Sequence, residues 1–367
     1  MSPSLPALKI GKYTVTHPII QGAMAVRVSG GNLAGAVAKA GGIGVISSWG
    51  LGLNSPYFQD NRQRGQFFAA NRLALIDELQ TARSISPNGI VGVNVLVATR
   101  DYAEMVETAA AHGANIIITG AGVPLNLPEY TAKYPEVALV PIVCGLEAVQ
   151  QICQTWLQCY HRLPDALIVE NAQSVGGHIG TTCGDYHQPE NTIEYLIAQL
   201  RDYLLEHWGV EIPLIATGGI WDRADIDRML AIGASGVQIG TRFITTEECD
   251  AHPRYKEFHL HADTEKVSIV PSPVGKPARA LHNNFADRAI LGDPDLDRFC
   301  VGNCLKSCLC RDRKTTYCIL QALLSAARGD VEQGLMFAGS GVKPVERIVP
   351  VAELMAELTV INPAIAG

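Results

Sequence analysis

Residues 165–180 read DALIVENAQSVGGHIG. The apolar run Ala166-Leu167-Ile168-Val169 is short and sits between Pro164-Asp165 and Glu170-Asn171, which predicts a buried parallel strand rather than a helix. Polar residues and two glycines follow at once. In α/β folds the carboxyl ends of parallel strands are where ligands bind. Gly176 and Gly177 let the backbone approach a ligand, and His178 beside them is the candidate catalytic residue. By itself GGHIG also reads as a glycine-rich turn whose histidine faces water, so the other strand ends carry the decision.

Outward from this stretch the chain alternates. Apolar runs at 18–24, 42–47, 89–97, 115–122, 138–143, 166–169, 213–220 and 235–243 are separated by segments with helical spacing, among them ANRLALIDELQTARSI at 70–85 and stretches over 145–160 and 191–207. Eight β-then-α repeats predict an α/β fold of the (β/α)8 TIM-barrel type over an open sheet, which more often stops at five or six strands. Between Ser48 and about Ala70 no period is visible, as in a long functional loop or lid. The repeat stops near Asp250. The reading is therefore a barrel over 1–249, a cysteine-bearing elaboration over 250–345, and a last barrel helix from VPVAELMAEL within 346–367.

Composition narrows the class. Hydrophobic residues make up 47% of 367 and charged residues 18%, with no like-charge block, which argues against disorder and coiled coil. A net charge of -7 gives no basic footprint for nucleic acid, and no apolar run reaches the ~20 residues that cross a bilayer. The first residues, MSPSLPALKIGKYTV, lack an apolar signal core, so a cytoplasmic protein is expected. In that compartment ten cysteines suggest core thiols, metal ligands or catalytic thiols rather than disulfides.

Two further strand ends share the character of the first. TGGI at 217–220 and QIGT at 238–241 place bare amides after strands seven and eight, where barrels commonly bind phosphate. A phosphate-bearing cofactor is the expected occupant of Gly218, Gly219 and Gln238-Ile239-Gly240-Thr241. Asn94 and Asn171 lie in or at the end of apolar strands; they would need partners if buried, and a flavin edge offers them, as would ordinary structural hydrogen bonds. In the tail, Cys300, Cys304, Cys308 and Cys318 stand as C-x3-C-x3-C-x9-C, with Cys310 a fifth candidate. Four thiolates suit a 4Fe-4S cluster and also suit zinc. Cys144, Cys153, Cys159, Cys183 and Cys249 follow no pattern and read as ordinary thiols, and the other nine histidines read as solvated or structural.

With Gln21-Gly22-Ala23-Met24, Asn94, Glu170-Asn171, Gly176-Gly177-His178, Gly218-Gly219 and Gln238-Ile239-Gly240-Thr241 in place, the chain resembles the nitronate monooxygenase (2-nitropropane dioxygenase) family. The resemblance implies a barrel holding FMN. It implies phosphate contacts from Gly219 and from Gln238 to Thr241, ring contacts near Met24, Asn94, Asn171 and Gly176, and His178 as base. The cysteine tail, with SPVGKPARA at 272–280, is similar to that of the bacterial FMN and iron-sulfur acyl-carrier-protein dehydrogenase/isomerases of unsaturated fatty acid synthesis. Their last gap between cysteines is longer, which leaves Cys308 and Cys310 both open as a ligand.

The function expected first is therefore dehydrogenation and isomerisation of an acyl thioester on acyl-carrier protein, with oxygen or the cluster taking the electrons. Imidazole has the side-chain pKa nearest neutrality, which suits His178 to the α-proton transfer. Oxidation of alkyl nitronates by oxygen, NAD(P)H-dependent enoyl reduction and a non-catalytic flavin redox sensor are the competing readings. The sequence leaves the oligomeric state open, a homodimer included.

Overall fold

The computed structural model describes residues 4–58, 65–180 and 185–360. Eight parallel strands close into a barrel: Ile19–Gln21, Ile43–Ser47, Ile90–Leu96, Ile116–Gly120, Ala138–Val143, Leu167–Glu170, Leu214–Thr217 and Gly236–Ile239, here strands one to eight. Strand eight returns to strand one with Val237 opposite Ile19. The expected TIM barrel is present, and each strand lies within a residue of the run that predicts it.

Strand side chains alternate between faces, and the apolar runs use both. Ile20, Val45, Ile118, Val140, Ile168 and Ile215 fill the barrel, while Ile19, Val93, Ile117, Leu139, Val169 and Ala216 meet the surrounding helices. Burial of each large branched side chain contributes roughly 1.5–3 kcal/mol. The hairpin Leu8–Ile10 with Tyr13–Val15 adds Leu8, Ile10 and Val15 to the inner cluster and plugs the amino end. Only the carboxyl end is left for a site.

Helices Gly31–Lys39, Gln66–Ile85, Tyr102–Ala111, Leu146–Tyr160, Ile193–Trp208 and Arg223–Ala231 follow strands one, two, three, five, six and seven. The second begins at Gln66, earlier than its spacing suggests. Phe67 is buried there and lies against Gly302, a contact from far along the chain that no local period reveals. Residues 59–64 of the expected loop lie outside the described residues.

After strand eight the chain makes one long excursion. Thr246 bridges Val349, and the Glu247 amide donates to the Val349 carbonyl at 2.9 Å, so the two ends of the excursion meet. Helix Val351–Thr359 then packs between Gly31–Lys39 and Arg223–Ala231 and completes the ring. The excursion holds helices Pro253–Leu260, Asn284–Ile290, Leu309–Arg313 and Ile319–Ala327, and the hairpin Val267–Pro271 with Pro277–Leu281. Near its start Asp250 accepts the Gly30 and Leu33 amides at 2.9 and 3.2 Å, satisfying orphan donors at the start of helix Gly31–Lys39. Among the described residues no helix is long and apolar enough to cross a membrane.

The closest approach of barrel to helix is at Gly44, where a Cβ would lie 1.8 Å from the Ala34 carbonyl oxygen. Gly44→Ala must therefore push helix Gly31–Lys39 off strand two, and overpacking of this kind costs about 1–3 kcal/mol or more. Thermal unfolding followed by circular dichroism should show a clearly lower midpoint than wild type. Gly240→Ala, whose Cβ would meet nothing within 4 Å, should leave it unchanged. An unaltered midpoint for Gly44→Ala would contradict this packing.

Candidate active site

His178 does not sit in a free loop. Gly177–His178 forms a two-residue strand paired antiparallel with Pro277–Leu281, Ala278 opposite His178 and Arg279 opposite Gly177. The Ile179 amide continues the ladder to the Pro277 carbonyl at 3.0 Å. The imidazole is half-buried, its Nε2 lies 2.7 Å from Ser272 Oγ, and its ring meets Phe337 edge-on at 5.3 Å. Burial, and secondarily the Lys276 ammonium, push its pKa down to about 4. It is thus neutral at pH 7 and able to accept a proton.

The loop from Asn171 to Gly180 is tied down by side chains of the excursion. Arg279, 4% exposed, donates to the Val175 and Ala172 carbonyls. Lys276 Nζ donates to the Gly180 carbonyl at 2.7 Å, and the Gly180 amide donates to Glu170 Oε1 at 2.8 Å. Glu170 ends strand six, and desolvation raises its pKa to about 7 against the opposing pull of the Gly180 amide, Lys276 and Arg279. Cys144, at the end of strand five, donates to the same Gly180 carbonyl at 3.5 Å. Burial, and then Glu170, raise the Cys144 pKa.

Beside this loop the glycines interlock. A Cβ on Gly176 would lie 2.6 Å from the Gly339 nitrogen, and one on Gly341 would lie 2.9 Å from the Gly219 Cα. Gly177, Gly218 and Gly219 have φ of 80°, 104° and 73°, a conformation that favours glycine. Residues 338–341, AGSG, therefore lie across both strand ends, with the Gly339 amide donating to Thr241 Oγ1 at 3.1 Å. The amides of Gly218, Gly219, Gly240 and Thr241 have no acceptor among the described residues, and the space beside Gly240 is open. Bare amides of this kind are what a phosphate accepts.

The remaining predicted residues divide. Gly22 donates to the Ile239 carbonyl at 2.7 Å and lies against Gly240, so it serves the packing of strand one on strand eight. Ala23 and Met24 are half-buried just beyond it. Asn94 is 7% exposed in strand three, opposite Ser47 and Ile118, and its side chain makes no hydrogen bond among the described residues. Asn171 closes a local turn, its Oδ1 accepting the Gln173 amide and its Nδ2 facing Ser174 Oγ at 3.4 Å. Gln238 is half-buried and pairs with Thr217 across strands seven and eight, while Ile239 is packed in the core. Sequence reading missed Ser272, Arg279, Phe337 and the 338–341 segment. Only SPVGKPARA gave a signal for the first two.

The tail cysteines come together without forming a coordination site. Burial raises the thiol pKa of Cys304, Cys310 and Cys318, Cys310 to about 12, and neighbouring thiols among the five push in the same direction. Among the described residues no group of three or more His, Cys, Asp or Glu is arranged to hold a metal ion. Cys310 Sγ donates to the Arg298 carbonyl at 3.5 Å, and Cys300 Sγ accepts the Asn303 amide at 3.3 Å. Of the thiols read as ordinary, Cys153 and Cys249 are buried and Cys159 is exposed, while Cys183 lies outside the described residues.

The fold is a barrel whose strand-seven and strand-eight ends carry amides without an acceptor among the described residues, where such barrels commonly bind phosphate. The chain belongs to the nitronate monooxygenase family, whose model matches residues 7–360, and is thus a flavin oxidoreductase. It is 27% identical over 378 residues to the nitronate monooxygenase of Pseudomonas aeruginosa, covering 94% of this chain and 95% of that protein. It is 33% identical to a probable nitronate monooxygenase of Staphylococcus haemolyticus over 123 residues, a third of each chain. Among solved structures, a FabK variant from Thermotoga maritima matches with a TM-score of 0.68 and 25% identity over 94% of this chain and 91% of that one. The nitroalkane oxidase of Streptomyces ansochromogenes shares the fold, with a TM-score of 0.65 and 21% identity over 94% and 95%. The family implies FMN. The four bare amides at Gly218, Gly219, Gly240 and Thr241 fit its phosphate, and the unpaired Asn94 amide fits a polar ring edge.

Arg279 should be indispensable to the shape of the loop. Arg279→Met keeps much of the side-chain volume but strands the Val175 and Ala172 carbonyls and leaves Lys276 as the cation acting on Glu170, and removing a buried charged donor typically costs several kcal/mol. Limited proteolysis should cleave between Asn171 and Gly180 in this variant at least ten times faster than in wild type. Equal cleavage rates would mean that the strand pairing alone holds the loop.

Proposed function

We propose that the protein is an FMN-dependent oxidoreductase that dehydrogenates and then isomerises an acyl thioester carried on an acyl-carrier protein, with His178 as base. One linkage carries this reading. The Leu309 amide, in the cysteine-bearing segment, donates to the Pro273 carbonyl at 2.8 Å, and the preceding residue, Ser272, bonds His178. A thiol-rich segment and the imidazole thus belong to one structural unit, which a nitronate oxidation gives no reason to build. The likeness to FabK, an enoyl-ACP reductase, also supports acyl-thioester chemistry, in the direction of NAD(P)H-dependent reduction. The names of the curated relatives support the other reading, oxidation of alkyl nitronates with oxygen as acceptor.

Bound by Gly218, Gly219, Gly240 and Thr241 through its phosphate, with Asn94 at its ring, FMN would supply the acceptor for the substrate's β-hydride. The chain's own part is proton transfer. In the tautomer in which Nε2 donates to Ser272 Oγ, 2.7 Å away, Nδ1 is the imidazole nitrogen left to take the acidic α-proton. The imidazolium so formed is desolvated and faces Lys276, which makes it a strong acid. It readily gives the proton back at another carbon, and that return moves the double bond. Phe337 against the ring and the 338–341 segment over the strand ends keep water from competing for the proton.

Two experiments test the reading. His178→Ala should retain FMN, because the cradle contains no atom of His178, yet lose turnover by roughly 10²- to 10⁴-fold. In wild type the acid limb of the kcat/KM profile should fall near pH 4 rather than 6.5, since protonation of His178 removes the base as pH drops through its lowered pKa. Single-turnover flavin reduction by an acyl-carrier-protein thioester, run beside a nitronate, assigns the substrate; activity with nitronate alone moves the function to the second reading. We also propose that Cys300, Cys304, Cys318 and either Cys308 or Cys310 take up a 4Fe-4S cluster; the mutual influence of these thiols supports it, although among the described residues they are not arranged to hold a metal ion and would have to move together. After anaerobic purification Cys304→Ala should lose iron and sulfide with the barrel still folded, and zinc in place of iron in wild type would overturn this.

A further inference from the structure

Glu170 ends strand six beside the loop that carries His178, and one of its two oxygens is taken. The Gly180 amide donates to Oε1 at 2.8 Å, while among the described residues Oε2 makes no hydrogen bond. From Gly177 to Gly180 burial alternates: Gly177 and Ile179 are buried, His178 and Gly180 half-buried, as in an extended ribbon with residues 178 and 180 on one face. The Ile179 amide, bonded to the Pro277 carbonyl, carries the ladder past the pair of His178 with Ala278. A Cβ on Gly180 would lie 2.8 Å from Glu170 Oε1. The carboxyl therefore stands on the imidazole's face of the ribbon, two residues along, a separation on the order of 7 Å.

The groups around it agree with that placement. Lys276 Nζ reaches the same Gly180 carbonyl, and its charge acts on both Glu170 and His178. Arg279 acts on Glu170 as well, and from the end of strand five the half-buried Cys144 thiol faces it. Desolvation outweighs both cations and the Gly180 amide, which leaves the Glu170 pKa at about 7. A carboxylic acid kept neutral in this way can donate a hydrogen bond, which a carboxylate cannot. A latch for Gly180 alone would need only Oε1. The spacing also suits a substrate: a carbonyl oxygen about 2.7 Å from Oε2, its α-carbon about 3.3 Å from Nδ1 and about 2.4 Å between those two atoms span roughly 7–8 Å.

We propose that Glu170, in its protonated form, donates from Oε2 to the carbonyl oxygen of the acyl thioester while His178 takes the α-proton. This rests on the acyl-thioester reading above for its substrate. The α C–H bond breaks, its proton goes to Nδ1, and its electron pair moves onto the carbonyl oxygen as an enolate; Glu170 keeps its own proton throughout. A donor aimed at such an oxygen contributes roughly 10²- to 10³-fold in kcat.

In the wild-type holoenzyme kcat/KM for the acyl-carrier-protein thioester should fall as pH rises through about 7, because the donating form is lost above the raised pKa. Glu170→Gln keeps an acceptor for the Gly180 amide and offers a weaker donor that does not titrate. It should lower kcat/KM about tenfold at about pH 6 and abolish the fall above about pH 7. Glu170→Ala should retain FMN and lose roughly 10²- to 10³-fold in kcat. A fall near neutrality that persists in the Gln variant, or an Ala variant within a few-fold of wild type, overturns the donor. Binding is read apart from chemistry in the infrared band of an isotope-labelled thioester carbonyl, bound as the acyl-pantetheine at low pH. The band should move to lower frequency in wild type and not in Glu170→Ala; an equal position in both overturns the proposal. If the band depends on Glu170 and the thioester still fails to reduce the flavin, the donor stands and the dehydrogenase reading fails.

Discussion

The position of one imidazole depends on an antiparallel pairing between segments a hundred residues apart. Gly177–His178 has no strand partner within the barrel, and its register is set by Ala278 and Arg279 of the excursion. Hydrogen bonding requires that a backbone entering the half-buried mouth be paired somewhere. Pairing it to a hairpin also delivers Ser272 to the ring and Arg279 beneath the loop. The barrel supplies the place, and the insertion supplies the geometry.

The same constraint explains the glycines better than conformational freedom alone. A Cβ on Gly176 would meet the Gly339 nitrogen and one on Gly341 would meet the Gly219 Cα, while Gly339 and Gly219 are themselves closed in by Ser174. The 338–341 segment can lie that close only because both surfaces are bare backbone. A side chain at any of these contacts would separate the two layers by more than an ångström and open the cradle. Packing and ligand binding here make the same demand on sequence.

How far this was legible beforehand follows from the range of each interaction. The eight strands were readable because each is a local apolar run, and the glycine positions 218, 219 and 240 because they lie at the ends of such runs. The start of the second helix was not, since Phe67 is buried by Gly302. Ser272, Arg279 and AGSG at 338–341 carry no local pattern of their own; their roles exist only once the excursion folds back over strands six and seven. Gly22 shows the converse. It sits in a stretch read as part of the cofactor site, but its amide is spent on Ile239 and its missing Cβ makes room for Gly240.

The raised thiol pKa values in the tail bear on why the excursion is placed where it is. Buried thiols of Cys304, Cys310 and Cys318 resist ionisation through desolvation, and each anion formed makes the next harder to form. Such a set stays neutral until a cation joins it, and ligation would then release protons and draw the sulfurs together. The segment is held by Arg311 to Asn303 and Leu305, by Leu309 to Pro273 and by Tyr317 to the Pro271 carbonyl, which ties it to the hairpin carrying Ser272. Because Ser272 is bonded to His178, two short links join the thiol-bearing segment to the candidate base.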